Sequence, residues 1–211
     1  MEAGELKQWP ETWKIWRLGN LLADIQPGFA CGEKSTSEGI PHLRMNNIGV
    51  NGKIDLSLIW RVPDVLERTS KYCLHKGDVL FNNTNSPALV GKTALFNEEG
   101  VYVYSNHLTR LRVKPLLLTP KWLALWLQHL WRRRYFESLC HRWINQAAVG
   151  REKLQEVEIP LPSLDEQRRI VARIEELTCR IEELRRLHED AGREIAAMSG
   201  AVLAKAFRGE V

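Results

Sequence analysis

From Ile170 onward the seam positions of this chain, apolar except for His188, recur at steps of four and three: Ile170, Ile174, Leu177, Ile181, Leu184, His188, Ala191, Ile195, Met198 and Val202. That spacing is the heptad seam of a coiled coil, and it constrains the fold more than any other stretch because such a stripe needs a partner helix to cover it. The flanks agree. Asp165/Arg169, Glu176/Arg180, Glu182/Arg186 and Glu189/Arg193 are acid-before-base pairs four apart, the stabilising order on an exposed helix face. Ser163 and Glu166 have the spacing of a capping box, while Pro160 and Pro162 keep the preceding residues extended. The pattern predicts a rod from Leu164 to Phe207, about 60 Å long. Gly192 and Gly200 are its weak points, and Gly209 is its expected stop.

Residues 1 to 163 read as a mixed domain. A strand or turn near Trp13 is expected to lead into a short helix over residues 18 to 25, with Trp9, Trp13 and Trp16 packing in a core rather than offering a platform for bases. Residues 31 to 39 are polar and rich in Gly and Ser, hence a loop, in which Lys34, Ser35 and Ser37 either meet phosphate or stay solvated. Short strands are expected over Ile40 to Ile48, Lys53 to Leu56, the run ending at Phe81, Val90 to Phe96 and Val101 to Val113. Asp64 to Thr69 suits a helical turn, and Asn82 to Pro87 a loop. Thr119-Pro120 supplies an N-cap and an N1 proline for an amphipathic helix over Lys121 to Cys140, and a loop from Asn145 leads to a last strand at Val157 to Ile159.

The 44% hydrophobic content is enough for a real core. The formal charge of +4 is unevenly placed: residues 1 to 163 carry 21 Lys and Arg against 16 Asp and Glu, and the rod carries 9 against 10. A mild basic excess on the globular part is compatible with nucleic acid without demanding it. Cys31, Cys73, Cys140 and Cys179 lie far apart with no ligand spacing, so neither a metal site nor a disulfide framework is expected. No apolar run reaches the length of a membrane span and no signal peptide is evident, so a soluble cytoplasmic protein is expected.

Enzymatic signatures fail one by one. Gly91-Lys92-Thr93 resembles the end of a phosphate-binding loop, but Ser86 stands where the earlier glycine is required. There is no Gly-rich dinucleotide fingerprint, no Asn/Asp-Pro-Pro-aromatic tetrad for an extruded base, no paired Glu-x-Lys beyond Pro63-Asp64 for a magnesium nuclease, and no Gly-x-Ser-x-Gly elbow.

The run Glu158-Ile-Pro-Leu-Pro-Ser-Leu-Asp-Glu-Gln-Arg-Arg-Ile-Val171 resembles the opening of the helical region in specificity subunits of type I restriction–modification systems. Trp16-Arg-Leu-Gly-Asn20, Gly77-Asp-Val-Leu-Phe81, Val90-Gly-Lys92, Ser105-Asn-His-Leu-Thr-Arg-Leu-Arg112 and Ala206-Phe-Arg-Gly-Glu210 are similar to other recurrent pieces of that family. The resemblance implies an α+β chain: a DNA target recognition domain of mixed α/β fold over residues 1–163, then a coiled-coil spacer helix over 164–211. It implies a DNA-binding chain without catalytic residues, metal or cofactor of its own, serving methyltransferase and possibly restriction subunits, with S-adenosylmethionine held by the methyltransferase. Relatives usually carry two recognition domains and two spacers in one chain; here there is one of each, a half-length form. The competing reading is a coiled-coil adaptor or truncated remnant that binds protein partners and no longer reads DNA.

Base contacts need side chains that fork onto base edges, Asn or Gln for adenine and Arg or Lys for guanine. On loops between strands these are Arg44, Asn46 and Asn47; Asn82, Asn83, Asn85 and Ser86; Lys92; Asn106, His107 and Arg110; and Gln146 with Arg151. Arg132 to Arg134 suit phosphate contacts or a helix C-terminus. The dimer interface is expected at Ile170, Ile174, Leu177, Ile181, Leu184, His188, Ile195 and Met198. Ile174 and Ile181 with Leu177 and Leu184 favour by themselves a parallel pair. The resemblance implies antiparallel pairing, which separates the two recognition domains along the duplex, and the expectation is an antiparallel homodimer with His188 helping to set register.

Overall fold

Where a helix over residues 18 to 25 is expected, the chain makes a single helical turn and then enters a strand. The computed structural model describes residues 9–32, 38–63, 66–142, 144 and 146–210. Lys34, Ser35, Ser37, Asp64 and Asn145 lie outside them. In chain order the elements are β1 (Lys14–Arg17), α1 (Leu18–Leu21), β2 (Leu22–Pro27), β3 (Ile40–Leu43), a 3-10 turn at Met45–Asn47, β4 (Trp60–Val62), α2 (Leu66–Tyr72), β5 (Val79–Asn82), β6 (Thr84–Asn85), β7 (Thr93–Leu95), β8 (Val103–Tyr104), β9 (Leu108–Val113), α3 (Pro120–Arg132), α4 (Tyr135–Leu139), β10 (His141–Arg142), β11 (Ala147–Ala148), α5 (Arg151–Gln155), β12 (Glu158–Leu161) and α6 (Leu164–Phe207). They fall into two units, residues 1–168 and 169–211.

The first unit is a set of small sheets. β2, β9, β5 and β7 form an antiparallel sheet in that order, and β4, β3 and β8 form a second one in which β3 and β8 run parallel. β10, β11 and β6 make a third, and β1 pairs with β12. The early helix gives way because Ile25 and Leu22 are buried when residues 22–27 pair with β9 across a bulge, and long-range pairing outweighs local helix preference. Leu43, Ile48, Leu80, Phe96, Tyr104 and Leu108 pack together as one core cluster.

Two further expectations are corrected. The helix over Lys121 to Cys140 breaks at Arg134, whose φ of 60° places it in the left-handed region, and α4 follows with Phe136 against Phe81, ring centroids 5.0 Å apart. The loops at 82–87 and beyond 145 are shorter than expected, because β6 and β11 pair with each other and α5 occupies residues 151–155. Other signals hold. Thr119 Oγ1 accepts the Trp122 N–H at 3.3 Å as the cap of α3. Trp9 stacks on Trp13 at 5.6 Å, and these two meet Trp126 and Trp122 of α3 edge-on, as core packing requires.

α6 is one helix of 44 residues, about 66 Å at the standard rise. Ser163 Oγ accepts the Glu166 N–H at 3.3 Å, and Gly209, with φ of 74°, stops the helix after Gly192 and Gly200 have been passed without a break. Arg180 bonds Glu176 as the four-residue spacing predicts, whereas Arg168 and Arg193 reach Asp165 and Asp190, three residues back. No helix among the described residues is long and apolar enough to cross a membrane.

Candidate nucleic-acid interface

The parallel pairing of β3 with β8 creates the site. His42 lies beside Val103 and Leu43 beside Tyr104, so both strands end at the same edge and the residues that follow them, Arg44 on one and Ser105 to His107 on the other, arrive together. The Ser105 N–H donates to the Leu43 carbonyl at 2.9 Å. On its other side β3 pairs antiparallel with β4, setting Trp60 opposite His42 and therefore diagonal to Arg44. The Arg44 guanidinium carbon lies 4.5 Å from the Trp60 ring centroid, a cation–π contact. Arg44, Trp60, His42, Asn106 and His107 line a pocket of about 240 Å³ whose remaining wall includes Cys31. A Cβ on Gly28 would stand 2.2 Å from the Tyr104 carbonyl oxygen, so only glycine lets the neighbouring strand pass this close beneath the loop.

Asn83 ties the surrounding loops together. Its Nδ2 donates to the Asn106 carbonyl at 3.1 Å and to Thr109 Oγ1 at 2.8 Å. Its backbone N–H donates to the His107 carbonyl, and its carbonyl accepts from Val149. The loop carrying Asn106 and His107 and the segment carrying Gln146 are thus fixed to the same residue. Asn85 Oδ1 accepts the Ser86 N–H at 2.8 Å, which shapes the next turn. His107 is held below the ordinary histidine value of 6.5, first by burial and then by the charge of Arg44, so its imidazole is neutral near pH 7.

Not every nominated side chain reaches this surface. Asn46, Asn106, Gln146 and Arg151 are exposed, and Arg44, Asn83, Asn85, Ser86 and His107 are half-buried. Four others are corrected to internal roles. Asn47 is buried, accepting the Arg44 N–H and donating to the Asp55 and Leu58 carbonyls. Asn82 is buried with its amide toward the Met45 carbonyl. Lys92 is buried and donates to the Ile48 carbonyl, and desolvation lowers its pKa. Arg110 is only 5% exposed and is held by Asp24 at 2.8 Å, Gln26 Oε1 at 2.6 Å and the Cys73 carbonyl at 3.1 Å. Each is polar because a buried backbone or carboxylate group needs it, and none is placed to touch a base.

Arg132, Arg133 and Arg134 are exposed where α3 ends, none of the three lines the Arg44 pocket, and Arg134 is paired with Glu137 at 2.6 Å. Trp60 and His42 escaped sequence reasoning. The signal for Trp60 was an aromatic in a short alternating strand, Ile59-Trp60-Arg61-Val62, whose partner strand could not be known in advance. Among the described residues no group of three or more His, Cys, Asp or Glu is arranged to hold a metal ion.

Comparison with known proteins gives one answer at several levels. The family model for the type I restriction modification DNA specificity domain matches residues 10–189. A type I restriction enzyme MjaX specificity subunit of Methanocaldococcus jannaschii is 30% identical over 171 residues, covering 80% of this chain and 39% of the relative. The type I restriction enzyme EcoBI specificity subunit of Escherichia coli is 24% identical over 212 residues, covering 96% of this chain and 42% of its own length. Among solved structures, the HsdS subunit from Thermoanaerobacter tengcongensis superposes with a TM-score of 0.65 at 27% identity, over 100% of this chain and 48% of that one. A chain from a type I R-M system, solved in a study of complex assembly and conformational transition, gives 0.73 at 27% identity over 100% and 49%. The chain spans less than half the length of the curated relatives it matches.

Proposed function

The chain belongs to the type I restriction modification DNA specificity family, and from that premise we propose that it reads a DNA half-site and directs partner methyltransferase and restriction subunits to it, catalysing neither reaction itself. The observation that carries this is the gathering of Arg44, Asn106 and His107 at one strand edge, with exposed Asn46 nearby in sequence and Gln146 tethered through the Asn83 staple. These are the side-chain types that read base edges, they project from loops fixed by strand pairing, and they stand on the unit that carries the basic excess. S-adenosylmethionine belongs to the methyltransferase in this reading.

The second unit supports assembly with another copy. On α6 Ile174, Leu177, Ile181 and Leu184 are 38%, 42%, 49% and 65% exposed, and Ile195 and Met198 continue the stripe. An apolar face of that length is an aggregation hazard unless covered. Two copies of α6 packed antiparallel would cover it, set a-type residues against d-type ones, and bring His188 into the seam. Such a two-fold particle reads a two-fold site. The target is then an interrupted inverted repeat with identical half-sites.

Two measurements test this. In a gel-shift titration with the methyltransferase present, affinity falls steeply as salt rises if phosphates are neutralised on binding; a flat salt response means a protein adaptor that does not read DNA. Mapping methylated motifs in cells carrying this chain and its methyltransferase returns an inverted repeat, whereas an asymmetric motif defeats the homodimer.

A further inference from the structure

Several guanidiniums of the first unit are held by carboxylates, and Arg44 is not among them. Arg110 is held by Asp24, Arg112 by Asp78 at 2.6 Å, and Arg134 by Glu137. Arg44 is half-buried and lines the pocket, yet among the described residues no carboxylate or carbonyl accepts a hydrogen bond from its guanidinium. Its contact is the face of Trp60. None of its nitrogens is among the buried unpaired side-chain atoms of the described residues, so its donors stay open at a concave, solvent-connected place where a ligand with two acceptors can take them.

The geometry narrows the ligand. The Trp60 ring, 4.5 Å from the guanidinium carbon, restrains the side chain, and a guanidinium presents its N–H donors as a planar fork rather than as a point charge. A planar fork matches two coplanar acceptors on one face, which in duplex DNA are O6 and N7 of guanine in the major groove. Two phosphate oxygens accept the same fork, but among the described residues no second Lys or Arg lines this pocket to share a phosphate, whereas Asn106, a base-edge reader, does line it. His107, on the same lining, is kept uncharged near pH 7 by its burial and by Arg44 itself. Resting on the DNA-reading proposed above, we infer that Arg44, oriented by Trp60, specifies one guanine in each half-site through O6 and N7, and that Trp60 is a positioning residue for it.

The test is the methylation motif of the intact assembly in cells, for the native chain and for Arg44→Lys, Arg44→Gln and Trp60→Ala. Arg44→Lys keeps the charge but loses the fork, so it should lower discrimination at a single G·C pair in each half-site by roughly tenfold or more, with every other position unchanged. Arg44→Gln should move that position toward A·T, since glutamine forks onto adenine. Trp60→Ala should blur the same position and no other. A thermal melt of each variant separates loss of reading from loss of fold, and Arg44→Lys, the mildest change, keeps the experiment decisive if another variant unfolds. If Arg44→Lys leaves the motif intact, or if Arg44→Gln only weakens methylation evenly at all sequences with a shallower salt dependence, Arg44 is a phosphate contact and the inference fails while the DNA-reading function stands. A native chain that gives no sequence-selective methylation would defeat that function itself.

Discussion

At the scale of single residues, burial separates the polar side chains into those that serve the fold and those that stay accessible. Asn83 is the hinge between the two groups, because it is half-buried and its amide holds the loop that presents Asn106 and His107. Changing Asn83 and Asn85 together to alanine is therefore expected to relax or abolish sequence choice, and motif mapping that returns the native motif would remove this loop from the site. Gly91 shows a harder constraint. Its φ is 91°, and a Cβ there would lie 2.3 Å from the Phe136 ring, so Gly91→Ala combines backbone strain with overpacking and should cost about 2 kcal/mol or more, read from urea unfolding. His107 carries a pH signature. Its folded pKa lies below the ordinary 6.5, so between the two values the unfolded chain binds more protons and stability rises with pH. As pH falls through 6.5 toward the lowered value that stability is lost, and His107→Gln should show a smaller loss than the native chain in unfolding titrations across that window.

At the scale of elements, the start of α6 explains why a glutamine follows Ser-Leu-Asp-Glu. Gln167 is fully buried; its Oε1 accepts the Thr119 N–H at 2.9 Å and its Nε2 donates to the Leu117 and Pro162 carbonyls at 3.0 Å each. One side chain thus joins the first turn of α6 to the cap of α3, where Thr119 also receives the Trp122 N–H. Gln167→Ala strands a buried N–H and two carbonyls, and a loss of about 2–4 kcal/mol is expected from the cost of unsatisfied buried groups. A denaturation midpoint unchanged by Gln167→Ala would contradict that account. Heptad spacing, charge pairs and the Ser163 cap all predict this helix, but the Gln167 network depends on residues nearly fifty positions away and is visible only in the folded unit.

At the scale of the whole molecule, the two units divide the work by their surfaces. The first packs apolar clusters inside and gathers amides, a histidine and an arginine where two parallel strands end; the second exposes a continuous apolar stripe. In the homodimer proposed above, Ile181→Glu with Leu184→Glu places charge in the middle of the seam. That double variant should be monomeric in sedimentation at micromolar concentration and should lose two-site methylation, while the near-ultraviolet dichroism of the tryptophan cluster in the first unit stays unchanged. A variant that remains dimeric would move the interface elsewhere.

Short-range chemistry in the sequence alone determined α6, its Ser163 cap and Gly209 stop, the Thr119 cap of α3, and the motifs that led to the family. Helix hydrogen bonds and caps join residues only a few positions apart, so their terms can be read along the chain. Residue type also nominated Arg44, Asn106 and His107. Tertiary structure decided which nominees were available. Lys92, Arg110, Asn82 and Asn47 have the same donor chemistry, yet strand pairing and burial turned them to carbonyls and carboxylates inside. The same long-range pairing broke the expected first helix and set Trp60 beneath Arg44. Strand partners are chosen by contacts distant in sequence, and no local pattern encodes which edge a side chain will share.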